Sequence, residues 1–151
     1  MPRTAEEGVH EPHDLLDAAK IERPYVLVAH SLGGLFARLY ASTYPGNVAG
    51  LVLVDAWHEA MPKLLGPVQW QPYEALFAPP LPALETYRDL ETIDFGVASE
   101  CMAELEPDVK HVIAKESDHY IHIEQPDLVI DAVRQVVDAV RDPASRRPDA
   151  E

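Results

Sequence analysis

The sequence predicts an α/β domain built on a parallel sheet flanked by helices, and three observations lead to it. Two short apolar runs, Tyr25-Val26-Leu27-Val28-Ala29 and Leu51-Val52-Leu53-Val54, are rich in β-branched residues and do not alternate with polar ones, the pattern of strands buried on both faces. Between them Leu32, Leu35, Phe36, Leu39 and Tyr40 recur at helical spacing. A third run, His111-Val112-Ile113-Ala114, reads as another short strand, followed by a loop and a second helical stripe. Strand, helix and strand at this spacing make a βαβ unit, whose crossover is right-handed in nearly all proteins.

In chain order, Thr4 and Glu7 are placed to form a capping box that opens a helix toward Lys20, with Gly8 and Pro12 expected to break or kink it. The first strand follows, then the helix, which Tyr44-Pro45-Gly46-Asn47 stops and turns into the second strand. From Trp57 to about Leu90, aromatic residues are interleaved with Pro62, Pro67, Pro72, Pro79, Pro80 and Pro82, and this stretch reads as a loop or short-helix insert. After the third run, Pro126 opens a helix whose stripe runs through Leu128, Val129, Ala132, Val133, Val136, Val137 and Val140 and ends near Asp142-Pro143. The expected organisation is one domain over residues 1–142, with 57–90 as a lid-like insert and 143–151 as a polar tail.

Composition excludes several classes. With 151 residues, 47% of them hydrophobic, the chain has enough apolar material for a buried core. Its 26 acidic and 12 basic side chains give a net charge of −14 without a Lys/Arg cluster, which argues against nucleic-acid phosphates or anionic lipid as partners. The lone Cys101 cannot form an intramolecular disulfide, the acidic N-terminus lacks the apolar stretch of a signal peptide, and no apolar run approaches the roughly 18 residues of a membrane span. A cytoplasmic location is the expectation.

The segment that carries chemistry is Ala29-His30-Ser31-Leu32-Gly33-Gly34, a small-x-Ser-x-Gly sequence that directly follows a buried strand and directly opens an amphipathic helix. A nucleophile elbow needs that context, because its serine sits on a tight strand-to-helix turn whose flanking residues must be small for the backbones to pass. Gly33 fills one flanking place and Ala29 the other, where glycine is commoner. The Leu32 backbone N–H would be one oxyanion donor at the helix N-terminus. The plainer alternative is that Ser31 only caps the helix. As base, His119 lies in a loop at the C-terminal end of the third run, with His122 as second choice. His119 and His122 also form an H-x-x-H pair, but two ligands without a third do not make a metal site. His10, His13, His30, His58 and His111 read as surface or strand-end residues.

On these residues the chain resembles the α/β-hydrolase superfamily, specifically its esterase and lipase-like serine hydrolases. The resembling parts are Pro24 to Leu35, Leu51-Val52-Leu53-Val54-Asp55, and Ser117-Asp118-His119-Tyr120 through Glu124-Gln125-Pro126. The resemblance implies Ser31 as nucleophile, His119 as general base and the Leu32 amide in the oxyanion hole, with no metal or organic cofactor.

The family places its acid between serine and histidine, usually after a strand just ahead of the histidine's strand, yet no apolar run lies between Asp94 and Asp108. That strand reads as deleted. Asp55, at the end of the strand beside the elbow strand, is the best substitute; it could equally well only bond loop backbone, and Asp89, Asp94 and Asp118 are lesser candidates. The family's upstream strands, with the loop that supplies a second oxyanion N–H, are also expected to be missing, since only about two dozen residues precede Tyr25. Losing one such donor costs about 2.7–4 kcal/mol of transition-state stabilisation, so slow turnover is expected. The strand at Tyr25 would then present an unpaired apolar edge, open to self-association.

The expected fold is therefore a partial α/β-hydrolase, and the expected function a serine hydrolase that cleaves carboxylic esters through an acyl-enzyme on Ser31. Trp57, Trp70, Tyr73 and Phe77 would line a hydrophobic acyl or aryl pocket, unless they are ordinary packing aromatics. A catalytically impaired module that binds a partner or a second copy through its sheet edge is the alternative from another class. A cofactor-free haloperoxidase or an acyltransferase would use the same three side chains.

Overall fold

The structure, a computed structural model, describes residues 4–58, 60–63, 65–67, 70–71, 110 and 112–142. The chain divides into two compact units, residues 1–57 with 116–151, and residues 58–115. In the first unit the order is α1 (Ala5–Ala18), β1 (Tyr25–Ser31), α2 (Gly33–Thr43), a 3₁₀ turn (Pro45–Asn47), β2 (Val48–Ala56), the short α3 (Ile121–Glu124) and α4 (Pro126–Arg141). In the second unit residues 61–63, 65–67 and 70–71 are helical, and Met61 and Leu65 are buried.

The expected capping box opens α1. Thr4 Oγ1 accepts from the Glu7 N–H at 3.2 Å, and Glu7 Oε2 accepts from the Thr4 N–H at 2.9 Å. The helix then runs unbroken through Gly8 and Pro12. Proline costs it one intrahelical bond, whereas Gly8 contributes a close approach, since a Cβ there would lie 2.7 Å from Cε1 of Phe36 on α2. Val9, the most buried residue of α1, packs in a cluster with Tyr25 and Tyr40, joined by Leu16, Leu27 and Leu39. Burial of that stripe outweighs the local breakers.

β1 and β2 pair in parallel, with Val26 opposite Gly50, Val28 opposite Val52 and His30 opposite Val54. Because side chains alternate along a strand, Tyr25, Leu27 and Ala29 face α1 and α2, while Val26 and the site of Gly50 face α4. Gly50 is small for a reason of packing, as a Cβ on it would lie 2.4 Å from Val136 Cγ1. The result is a three-layer arrangement with α1 and α2 on one face and α4 on the other. Pro126 sits in the first turn of α4, where its missing N–H costs nothing, and the Asp142 N–H closes the last turn on Asp138 O.

Two expectations need correction. The strands are not buried on both faces: Val52 and Val54, on one face of β2, are buried, but Leu53 on its other face is 40% exposed and Val28 on β1 is 50% exposed. Among the described residues the sheet has only these two strands, so each strand is an edge and the helices cover it incompletely. The third run is not a strand over Val112–Ala114; Val112 and Ile113 are exposed, and no strand among the described residues pairs with them. An apolar run becomes a strand only when a neighbour takes up its backbone hydrogen bonds. The segment expected to lack the acid-bearing strand, 94–108, and the tail 143–151 lie outside the described residues.

Candidate active site

Ser31 is the last residue of β1 and has φ +53°, the left-handed region that a side chain enters at a cost of about 1–2 kcal/mol. The turn is tight because α2 begins at Gly33, with only Leu32 between strand and helix. Leu32 is the N-cap of α2 and no side chain caps it, so capping is not what Ser31 does. The first N–H groups of α2 start directly behind the serine, where helix geometry leaves them without intrahelical partners and favourably placed for negative charge. Leu32 itself is 42% exposed.

The demand for small residues falls on a position other than those the motif names. A Cβ on Gly33 would lie 3.8 Å from that of Ala29, an ordinary contact, which explains why alanine is accommodated at 29. At Gly34, by contrast, a Cβ would lie 2.5 Å from Ala56 Cβ and 3.0 Å from the Trp57 carbonyl oxygen. Gly34 is where α2 crosses the end of β2, and the motif's spacing does not reveal it.

Asp55 stands in an irregularity of the ladder. His30 pairs with Val54 and Ser31 with Ala56, so Asp55 is skipped, with φ +38°. Such a bulge re-aims a side chain that a regular strand would send to one face. Beyond it the ladder resumes, since the Trp57 N–H donates to Ser31 O at 2.9 Å. The Asp55 carboxylate meets the imidazole of His119, 64 positions further on, whose Nδ1 lies 2.6 Å from Asp55 Oδ2. Both side chains are largely covered, 11% exposed for Asp55 and 21% for His119. An N–H donated from Nδ1 to a carboxylate leaves Nε2 as the basic nitrogen.

The His119 loop is also held from its C-terminal side. Glu124 Oε2 accepts from the Asp118 N–H at 2.8 Å, and Gln125 Oε1 accepts from the Ser117 hydroxyl at 2.9 Å. His30, read as a strand-end residue, proves to be part of this assembly. Its Nε2–H donates to the His119 carbonyl oxygen at 2.8 Å, and its ring centroid lies 4.5 Å from those of both His119 and His122. Burial is the main cause that holds the His30 imidazole below its ordinary pKa. The Nε2–H bond to the His119 carbonyl opposes this, positive charge on His119 or His122 lowers it further, and Asp55 opposes it as well. The clue in the sequence was its place immediately before the serine, where its backbone is committed to the same strand end.

Of the other candidates, His122 is an exposed residue of α3 and Asp118 is exposed, its N–H held by Glu124. Among the described residues no three His, Cys, Asp or Glu side chains are placed to share a metal ion. Trp57 is half-buried beside the elbow, and Trp70, in the other unit, is half-buried in a helical turn. Tyr73, Phe77, Asp89 and Asp94 lie outside the described residues, as does most of 57–90. No helix among the described residues is long and apolar enough to cross a membrane.

Several known proteins are similar to part of this chain. An uncharacterized protein of Bacillus subtilis, YqjL, is 40% identical over 53 residues, 35% of this chain and 21% of its own length. An abhydrolase domain-containing protein of Caenorhabditis elegans, lid-1, is 36% identical over 72 residues, 44% of this chain and 20% of its own. An uncharacterized vacuolar membrane protein of Saccharomyces cerevisiae is 38% identical over 47 residues, 31% of this chain and 7% of its own. The chain thus spans about a fifth or less of these relatives. No solved structure matches it significantly. The family described as having the alpha/beta hydrolase fold matches residues 9–107, which include the elbow and Asp55. With a strained serine between a parallel strand and a helix, and with well over half its length matched, the chain belongs to the α/β-hydrolase fold family.

Proposed function

We propose that this α/β-hydrolase is a serine hydrolase that cleaves carboxylic esters, with Ser31 as nucleophile, His119 as general base and Asp55 as the acid that orients the base. The observation that supports this most is the 2.6 Å contact between His119 Nδ1 and Asp55 Oδ2, made at the C-terminal edge of the strands where Ser31 ends β1. In this reading Ser31 Oγ attacks the ester carbonyl carbon while His119 Nε2 takes its proton. The developing imidazolium is stabilised by Asp55, and the oxyanion is received by the Leu32 N–H and the start of α2. Collapse of the tetrahedral intermediate breaks the ester C–O bond, and His119 returns the proton to the departing alcohol. Water then attacks the acyl-enzyme by the same route, releasing the acid and restoring Ser31. Trp57, which follows β2 in the same unit as Ser31, supplies an apolar side chain beside the site for an acyl or aryl group.

The test is intact-protein mass after exposure to a fluorophosphonate, with peptide mapping of the adduct. Labelling at Ser31, absent in Ser31→Ala and His119→Ala, is the expected result; an unlabelled protein with a cooperative thermal transition overturns the reading. Val28 and Leu53, exposed on a two-stranded sheet, favour a second reading in which this sheet binds a second copy of the chain. Light scattering behind size-exclusion chromatography decides it, a monomeric mass counting against it.

A further inference from the structure

Three features outside the proposed triad invite explanation: the exposed strand faces, the aromatic and histidine cluster between α1 and α2, and His30. His30 leads furthest, because its bond reaches across 89 positions of sequence to the backbone of the residue proposed as the base. We infer that His30 is a positioning residue that holds the backbone of His119, so that the nucleophile and its base are fixed to each other through consecutive residues of one strand. The inference deepens the serine hydrolase reading and rests on it.

His119 is gripped at two points. Its ring is held at Nδ1 by Asp55, from the end of β2, and its carbonyl oxygen is held by His30 Nε2–H, from the end of β1. A ring held only at Nδ1 can still pivot about that bond as its backbone drifts with the loop. Fixing the peptide group as well limits that drift, which bears on whether Nε2 can come within proton-transfer reach of the serine. Since Ser31 follows His30 directly, any shift of the strand end carries the nucleophile and the clamp together. Glu124 and Gln125 hold the same loop from the other side, but neither is attached to the strand that bears the serine.

The chemistry of His30 suits this task. The donor must be Nε2–H, so the neutral ring carries its proton there and leaves Nδ1 without one. The groups around it are His119, His122, Tyr120 and Asp55. Kept neutral by burial, His30 adds no positive charge beside His119 at the moment that residue becomes an imidazolium. A lysine or arginine here could donate the same bond but would oppose proton transfer to the base.

Two substitutions separate the bond from the bulk of the ring. His30→Phe keeps a flat ring and removes the donor; His30→Gln puts an amide N–H at the same distance along the side chain as Nε2. The fluorophosphonate labelling rate across pH 5.5–8.5 is measured alongside the imidazole and Tyr120 amide nitrogen resonances, the latter reporting on the peptide group that accepts the bond. His30→Phe is expected to slow labelling about threefold to tenfold, the range for loss of one hydrogen bond, and to move the Tyr120 amide and His119 ring signals. His30→Gln is expected to restore most of both. Labelling by His30→Phe at the wild-type rate overturns the inference, as does a His30→Gln protein that recovers neither rate nor resonances. If the wild-type protein forms no adduct, the hydrolase reading falls, and the resonances alone decide the clamp: unchanged Tyr120 and His119 signals in His30→Phe refute it.

Discussion

His13 and His119 make an instructive pair. Each is a half-buried histidine, 19% and 21% exposed at the side chain, and each has a carboxylate and a tyrosine close by. His13 belongs to α1, bonds the Tyr40 hydroxyl at 3.2 Å, stacks on Tyr44 with ring centroids 3.9 Å apart, and lies 3.8 Å from Asp17. His119 bonds Asp55 at 2.6 Å. The difference lies in the carboxylate and in the backbone beneath. Asp17 is 48% exposed and shares its charge with Arg23, whereas Asp55 is 11% exposed. His13, Tyr40 and Asp17 sit on regular helices, while Ser31 and Asp55 both occupy left-handed backbone at the ends of paired strands. A histidine with an acid nearby is thus an ordinary way to tie two helices together; it takes a covered acid and a distorted backbone to make a candidate for catalysis.

The contrast can be broken from either side. The largest effect is expected at Asp55, where Asp55→Asn keeps the shape but favours the wrong tautomer of His119; turnover of an activated ester should fall about ten-thousandfold. A fall of less than tenfold would mean that another acid orients the base. Next comes the crowding behind the elbow. Gly34→Ala should destabilise the fold by about 1–3 kcal/mol through overpacking against Ala56 and Trp57, and Gly33→Ala by less, as read from urea midpoints. Equal costs at the two positions would place the tight crossing elsewhere.

The helix-tying cluster should respond on stability alone. Tyr40→Phe removes the hydroxyl that meets His13 and is expected to cost about 1 kcal/mol while leaving fluorophosphonate labelling unchanged. A smaller effect is expected from pH. A histidine whose folded pKa lies below its unfolded value takes up its proton more readily when unfolded, so the stability linked to His30 is full above the unfolded pKa of roughly 6.5 and is lost as pH falls below it. The urea midpoint should therefore drop more between pH 7.5 and 5.5 in the wild-type protein than in His30→Gln. Parallel curves would show that His30 contributes nothing to that slope.

Local signals were legible in the sequence and long-range ones were not. The Thr4–Glu7 box, both strands, the α2 stripe and the Pro126 start of α4 are written in neighbouring residues, and the structure has them. Val112–Ala114 misled because an apolar run does not say whether a partner strand exists. The Ser31 elbow was visible because strand, turn and helix are contiguous. Asp55 could be named as the end of the second strand, but its bulge depends on the register between β1 and β2 and leaves no mark in composition. His30 was passed over for the same reason, since its partner is a carbonyl oxygen and main-chain acceptors look alike at every position. Gly34 escaped because its neighbour, Ala56, arrives from the end of another strand.

If Ser31 is the nucleophile proposed above, its left-handed backbone sets folding and chemistry against each other. Glycine is at ease at φ +53° and alanine is not, so Ser31→Gly should raise the melting temperature while Ser31→Ala leaves it nearly unchanged, although neither keeps the proposed nucleophile. A library of variants sorted only for resistance to heat or protease would therefore enrich Ser31→Gly, whereas one sorted for ester turnover would discard it. Where the two screens disagree most sharply along the chain is a readout of where the fold carries strain for the sake of a reaction, and it requires no knowledge of the substrate.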